Sequence, residues 1–126
     1  MPRILGIGTD LLDVARMAKE LESEGAGFRD TVFTPSEIVY CQAKRRPARH
    51  FAARFAAKEA LFKALGGSAP GSFWREVEVA RPGGAPPRLL LHDGTKEAAA
   101  RLGVKNILVS LSHTDSLAAA SVVLQG

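Results

Sequence analysis

Residues 4–9 form a short, apolar, glycine-interrupted run, which predicts a buried strand that stops at Asp10. Apolar positions then recur at three-to-four spacing through Leu11, Leu12, Val14, Ala15, Ala18 and Leu21, predicting a helix over 11–24 with Gly25 and Gly27 as its stop. Thr34-Pro35-Ser36-Glu37 has the form of a capping box with proline at the first helical position, opening a short helix through about residue 43. Nothing between residues 48 and 65 breaks a helix, alanine and leucine favour one, and Gly66-Gly67 end it. It is the longest predicted element.

Beyond it the period changes from helical to alternating. Residues 76–80 and 88–92 predict two strands joined by a proline- and glycine-rich turn, 96–102 a short alanine-rich helix, and 107–112 and 117–124 two strands of a closing hairpin around His113-Thr114-Asp115-Ser116. Strand, then helices, then mostly antiparallel strands is an α+β pattern, and 126 residues suit a single domain over 1–126, a mostly antiparallel sheet around one long helix.

Composition narrows the class of partner. With 46% hydrophobic and 24% charged residues the chain is expected to bury one real core, and it holds no apolar run long enough to span a membrane. Its first residues lack the apolar core of a signal peptide, so a cytoplasmic location is the expectation. The single cysteine, Cys41, allows no internal disulfide and is read as a core residue. The net charge of +4 is unevenly placed: Lys44, Arg45, Arg46, Arg49, Arg54, Lys58 and Lys63 fall in one segment with a single acid, Glu59. An anionic partner is therefore expected there.

On the long helix Phe51, Phe55 and Phe62 share one stripe, bordered by Arg54 and Lys58 on one side and Glu59 and Lys63 on the other. Alanines cover most of what remains, so several charges sit close to packed surface, although an ordinary Glu59–Lys63 surface pair with snorkelling Arg54 and Lys58 fits the same spacing. Asp10, at a strand end before a helix, is equally a helix cap and a ligand group. Were Asp10 and Glu59 to converge above Arg54, Lys58 and Lys63, they would suit Mg²⁺ on a diphosphate. The chain has no glycine-rich phosphate loop, and Ser112 and His113 point to opposite strand faces, which excludes a local Ser-His-Asp arrangement.

Three blocks then carry a family resemblance. Gly6-Ile7-Gly8-Thr9-Asp10-Leu11-Leu12-Asp13-Val14-Ala15-Arg16-Met17, Arg54-Phe55-Ala56-Ala57-Lys58-Glu59-Ala60-Leu61-Phe62-Lys63-Ala64-Leu65-Gly66 and Leu111-Ser112-His113-Thr114 resemble, in order and separation, the holo-acyl-carrier-protein synthases, the small 4'-phosphopantetheinyl transferases. Thr9, Ala15 and the longer turn over 84–87 depart from that pattern. The resemblance implies a 4'-phosphopantetheinyl transferase-like fold and transfer of the 4'-phosphopantetheine arm of coenzyme A to a serine of apo acyl carrier protein, releasing adenosine 3',5'-bisphosphate. It places Mg²⁺ on Asp10 and Glu59, makes Asp10, Glu59 and Lys63 the catalytic group, and gives Arg54, Lys58, Lys44, Arg45, Ser112, His113 and Thr114 to coenzyme binding. Arg16 and Met17 would dock the carrier protein, and the active unit would be a homotrimer with clefts between subunits. Transfer of this kind relies on charge neutralisation and positioning rather than a protein nucleophile, with Glu59 as candidate acceptor of the serine proton. Two other classes fit parts of the chain: a basic RNA-binding module, supported by residues 44–49, and a Mg²⁺-dependent phosphohydrolase using the same acids. The aromatic stripe reads as core rather than as a base-stacking surface, so no nucleic-acid partner is expected.

Overall fold

Where the first strand ends is decided by its partner. The computed structural model describes residues 3–23, 27–67 and 73–126. In it strand β1, Ile4–Asp13, pairs antiparallel with β5, Leu117–Gln125, from Ile4 opposite Gln125 to Asp13 opposite Leu117. Leu11 and Leu12, predicted as helical, therefore lie in the ladder, and helix α1, Val14–Ser23, begins where Val14 N donates to Ser116 O at 2.9 Å. A backbone partner available to every residue outweighs a local period. Gly25, one of the predicted stops, lies outside the described residues, whereas Gly27 opens a helix, α2 (Gly27–Val32), that the sequence pattern did not predict.

Helix α3, Pro35–Gln42, has the predicted capping box: Glu37 N donates to Thr34 Oγ1 at 3.3 Å and Thr34 N donates to Glu37 Oε1 at 2.9 Å. The long helix α4, Pro47–Ala64, ends at Gly66, whose φ of 89° only glycine adopts without strain. A helical turn α5, Phe73–Glu76, leads into a two-stranded antiparallel sheet, β2 (Val77–Ala80) with β3 (Arg88–Leu91). Helix α6, Asp93–Arg101, starts before the predicted Lys96 because the Glu76 side chain acts as its cap, accepting from Thr95 N and Oγ1 at 2.8 Å each. Strand β4, Asn106–His113, closes the predicted hairpin with β5, giving a three-stranded sheet in the order β1-β5-β4. The architecture is α+β, as the element pattern implied.

One face of that sheet is pressed on α4. Gly6, Gly8, Asp10 and Leu12 of β1 share this face with Ala118, Ala120, Val122 and Leu124 of β5, and the four β5 residues are all buried. A side chain at Gly6 or Gly8 would collide with the carbonyls of Ala64 and Ala60, so glycine on the strand and alanine on the helix let the two backbones approach closely. Ala52, Ala53, Ala56, Ala57, Ala60 and Ala64 are likewise buried. Among the described residues nothing covers the opposite face of the sheet: Ile7, Leu11 and Leu108 are exposed there beside the hydroxyls of Thr9, Ser110 and Ser121. Cys41 is buried, as predicted, and burial pushes its thiol up to about 12. No helix among the described residues is long and apolar enough to cross a membrane.

Lys58 departs from its expected place. Its ammonium is wholly buried, donating to Glu37 Oε1 and Trp74 O at 2.8 Å each and also to Val77 O, while Glu37 Oε2 accepts from Val79 N at 2.8 Å. Burial lowers the pKa of this ammonium, with Glu37 pulling the other way. All three of its protons are spent inside the protein, so the structure gives Lys58 a bracing role between α4, α3 and β2 instead of the phosphate contact read from sequence. Lys58→Met, which strands a buried carboxylate, is expected to cost about 3–5 kcal/mol in denaturant unfolding. The double variant with Glu37→Gln should recover part of that loss.

Candidate active site

The close approach of β1 to α4 brings Asp10, one register step beyond Gly8 on the inward row, to the C-terminal half of the helix. There Lys63 Nζ donates to Asp10 Oδ1 at 3.1 Å and to Thr9 O at 3.0 Å. Glu59, one turn before Lys63, opens into the same cleft of about 440 Å³, whose other walls include Arg16, Phe28 and Phe55. Burial raises the pKa of the Glu59 carboxyl, the Asp10 charge raises it further, and Lys63 opposes both. Asp10, Glu20 and Glu59 against Arg16 and Lys63 leave negative charge uncompensated in the cleft, which a divalent ion would relieve. Among the described residues no group of three or more His, Cys, Asp or Glu side chains could hold a metal by itself. The pair therefore suits an ion that takes one or two carboxylates and completes its shell with phosphate oxygens and water, as Mg²⁺ does.

On the rim, Arg16 is exposed. Met17 is not: at 2% exposure it packs in the core with Val14, Phe33 and Phe51, so of the expected docking pair only Arg16 presents its side chain to solvent.

A second charged region lies at the other end of α4. Arg54 is buried, its guanidinium 4.1 Å from the centre of the Tyr40 ring, with Lys44 Nζ at 4.4 Å from the same ring. Its Nε has no hydrogen-bond partner among the described residues, an orphan donor that an anion would satisfy. His50, one turn earlier, meets His113 of β4 with ring centres 5.1 Å apart. Burial takes the His50 imidazole down to about 4, helped by His113, Arg54, Lys44 and Arg49, and burial and Arg49 lower that of His113. Both shifts favour the neutral imidazole, in a field of cations. Lys44, Arg45, Arg46, Arg49 and His50 line a basin of about 530 Å³, with Asp115 opposite. The spacing of His50 to Arg54, one helical turn, was the available sequence signal for His50; its meeting with His113 joins residues far apart in the chain.

The remaining expected residues divide. Ser112 shares the outer face of the sheet with Leu11 and Ala119, opposite to His113. Thr114 is engaged in the hairpin turn, its Oγ1 accepting from Ser116 N at 3.3 Å and Leu117 N at 3.1 Å. The acidic cleft and the basic basin are distinct within one chain. Arg49 and Glu59 are ten residues apart on α4, about 15 Å along its axis, and Asp10 and His113 lie two strands and two register steps apart, about 12 Å.

The chain thus carries an acidic cleft and a separate basic basin on one α+β fold. The sequence model of the 4'-phosphopantetheinyl transferase superfamily matches residues 6–122, and the chain belongs to that superfamily. It is 42% identical over 123 residues to a holo-[acyl-carrier-protein] synthase of Koribacter versatilis, covering 97% of this chain and 98% of the relative. The crystal structure of the Neisseria meningitidis holo-[acyl-carrier-protein] synthase superposes with a TM-score of 0.87 at 27% identity, covering 97% of this chain and 98% of that one. A Bacillus anthracis holo-(acyl-carrier-protein) synthase in complex with CoA (3',5'-ADP) superposes with a TM-score of 0.77 at 28% identity, covering 97% and 96% of the two chains.

The Glu59 environment yields a pH test. A raised carboxyl pKa in the folded state means that stability present below the ordinary carboxylate range is lost as pH rises through the raised value. Glu59→Gln is therefore expected to raise Tm at pH 8 and to leave it nearly unchanged at pH 4 in differential scanning. An equal effect at both pH values would place the Glu59 carboxyl outside the field of Asp10.

Proposed function

We propose that this chain transfers the 4'-phosphopantetheine arm of coenzyme A to a serine hydroxyl of an apo acyl carrier protein, releasing adenosine 3',5'-bisphosphate. The observation that carries this reading is the meeting of Asp10, Glu59 and Lys63 in one cleft, in a chain of the phosphopantetheinyl transferase superfamily. Asp10 and Glu59 would hold Mg²⁺, which would supply charge neutralisation on the diphosphate. The serine oxygen attacks the phosphorus next to the arm, the bond to the bridging oxygen of the diphosphate breaks, and the nucleotide bisphosphate leaves. Glu59, directly or through a water, accepts the serine proton in this reading. Lys63 turns its ammonium, now on Asp10, to the charge developing on the leaving phosphate. Arg16, exposed at the mouth of the cleft, meets the carrier protein, and the reaction belongs to the cytoplasm.

The basic half comes from a neighbouring copy in this reading. One donor molecule needs its diphosphate at the carboxylates and its remaining phosphate on cations, and within one chain the two regions stand about 15 Å apart along α4. The outer sheet face, with the uncharged rows Ile7–Val123–Leu108, Thr9–Ser121–Ser110 and Leu11–Ala119–Ser112, supplies a surface on which copies assemble as a homotrimer. The hairpin bearing Ser112, His113 and Thr114, together with Arg54, Lys44 and Arg45, then faces a neighbour's Asp10 and Glu59.

A product assay with coenzyme A, Mg²⁺ and apo carrier protein tests the activity, and Asp10→Ala should lower turnover at least about a hundredfold without unfolding the chain. Mixing that variant with His113→Ala should restore activity through hybrid sites. A mixture that stays inactive despite verified subunit exchange would exclude the shared cleft, and an Asp10→Ala protein of normal activity would exclude the metal assignment.

A further inference from the structure

Among the described residues the basic basin contains one acid, Asp115. Asp115 Oδ1 accepts from Arg46 Nη1 at 3.1 Å and also pairs with Arg49 Nη2. Its side chain is 79% exposed, against 60% for Arg46 and 21% for Arg49, so the carboxylate is the most solvent-exposed of the three and Arg49 the most covered. The turn that carries it is built without it. Thr114 N donates to Leu117 O at 2.8 Å, and Thr114 Oγ1 accepts from both Ser116 N and Leu117 N. The carboxylate is thus free of structural duty in the hairpin and is spent on the arginines.

A carboxylate and a phosphate present the same kind of oxygen acceptor to guanidinium groups. We propose that Asp115 is a resident counter-ion of the basic basin, occupying Arg46 and Arg49 in the empty site and yielding them to a phosphate of the incoming donor. The proposal rests on the reading that this basin takes phosphate groups of coenzyme A. Four cations, Lys44, Arg45, Arg46 and Arg49, otherwise face one another around about 530 Å³, with Asp115 the one acid among the described lining residues. Without it their mutual repulsion would splay the long side chains; with it Arg46 and Arg49 are kept converged. Exposed ion pairs are worth at most about 1 kcal/mol, so a phosphomonoester carrying nearly two charges displaces the single charge of Asp115 readily. A singly charged or neutral group gains much less from the exchange. Asp115 in this way sets both how tightly the donor binds and how strongly the basin prefers a doubly charged phosphate.

The position on the hairpin adds a second consequence. Asp115 follows two residues after His113, whose ring lies against His50 at the same basin, so the Asp115 contacts tie the β4–β5 turn to the start of α4. When phosphate takes over the arginines, that tie is released while the His113–His50 contact stays.

The test compares the wild-type protein with Asp115→Asn and Asp115→Ser, both turn-compatible and both keeping a hydrogen-bonding side chain. Binding of adenosine 3',5'-bisphosphate is measured by titration calorimetry at low salt, and the KM for coenzyme A is measured in the transfer assay. Both variants are expected to bind the bisphosphate about three- to tenfold more tightly and to show a KM for coenzyme A lowered in the same proportion. Affinity that is unchanged or weaker in both variants, with the wild type binding and transferring normally, would overturn the counter-ion role and leave the transferase reading intact. A wild-type protein that neither binds the bisphosphate nor loads the carrier would overturn the transferase reading and this proposal together.

Discussion

The geometry of this protein depends on how closely a strand can lie on a helix. Gly6 and Gly8 on β1 face the carbonyls of Ala64 and Ala60 on α4, and no larger residue fits at either glycine. That contact draws Asp10 to Lys63 and places Glu59 in the same cleft, joining residues some fifty positions apart in sequence. Small residues contribute little apolar area each, but they shorten the distance between backbones, and here that distance decides whether two carboxylates share one site.

The charges along α4 show how one helix assigns unlike tasks to similar side chains. Lys58 is drawn inward, with Glu37 and two carbonyls consuming its protons, and it braces three elements. Arg54 is also buried, yet it lies over the Tyr40 ring with an Nε that has no partner among the described residues, so it keeps binding capacity that Lys58 has lost. Lys63 stays half exposed on Asp10, where it can exchange partners. Burial makes Lys58 and Arg54 costly and leaves Lys63 in water; what further separates them is the supply of acceptors, complete for Lys58, incomplete for Arg54 and exchangeable for Lys63.

The hairpin between β4 and β5 connects the two ends of the molecule. Its strands complete the sheet on which α4 rests, while its turn brings His113 to His50 and Asp115 to Arg46 and Arg49. The basin is therefore held by the same pairing that positions the acidic cleft at the opposite edge of the sheet. The two regions are separated by a central strand, β5, and that separation is what makes a neighbouring copy useful to the chemistry.

Much of this was readable along the chain. The capping box at Thr34, the uninterrupted helix before Gly66, the alternating strands after it and the basic segment from Lys44 are local signals, each set by backbone propensity or charge within a few residues. The class of chemistry was readable only through the family resemblance of three blocks, because by spacing alone Asp10 fits a helix cap and Glu59 with Lys63 a surface pair. Tertiary structure decided what depends on a distant partner: β5 kept Leu11 and Leu12 in a strand, Glu76 started α6 early, the core took Met17 away from the surface, and Glu37 claimed Lys58. A sequence window registers a side chain's charge and period but not the acceptors waiting across the fold, and for a buried ammonium or a paired strand those acceptors determine the outcome.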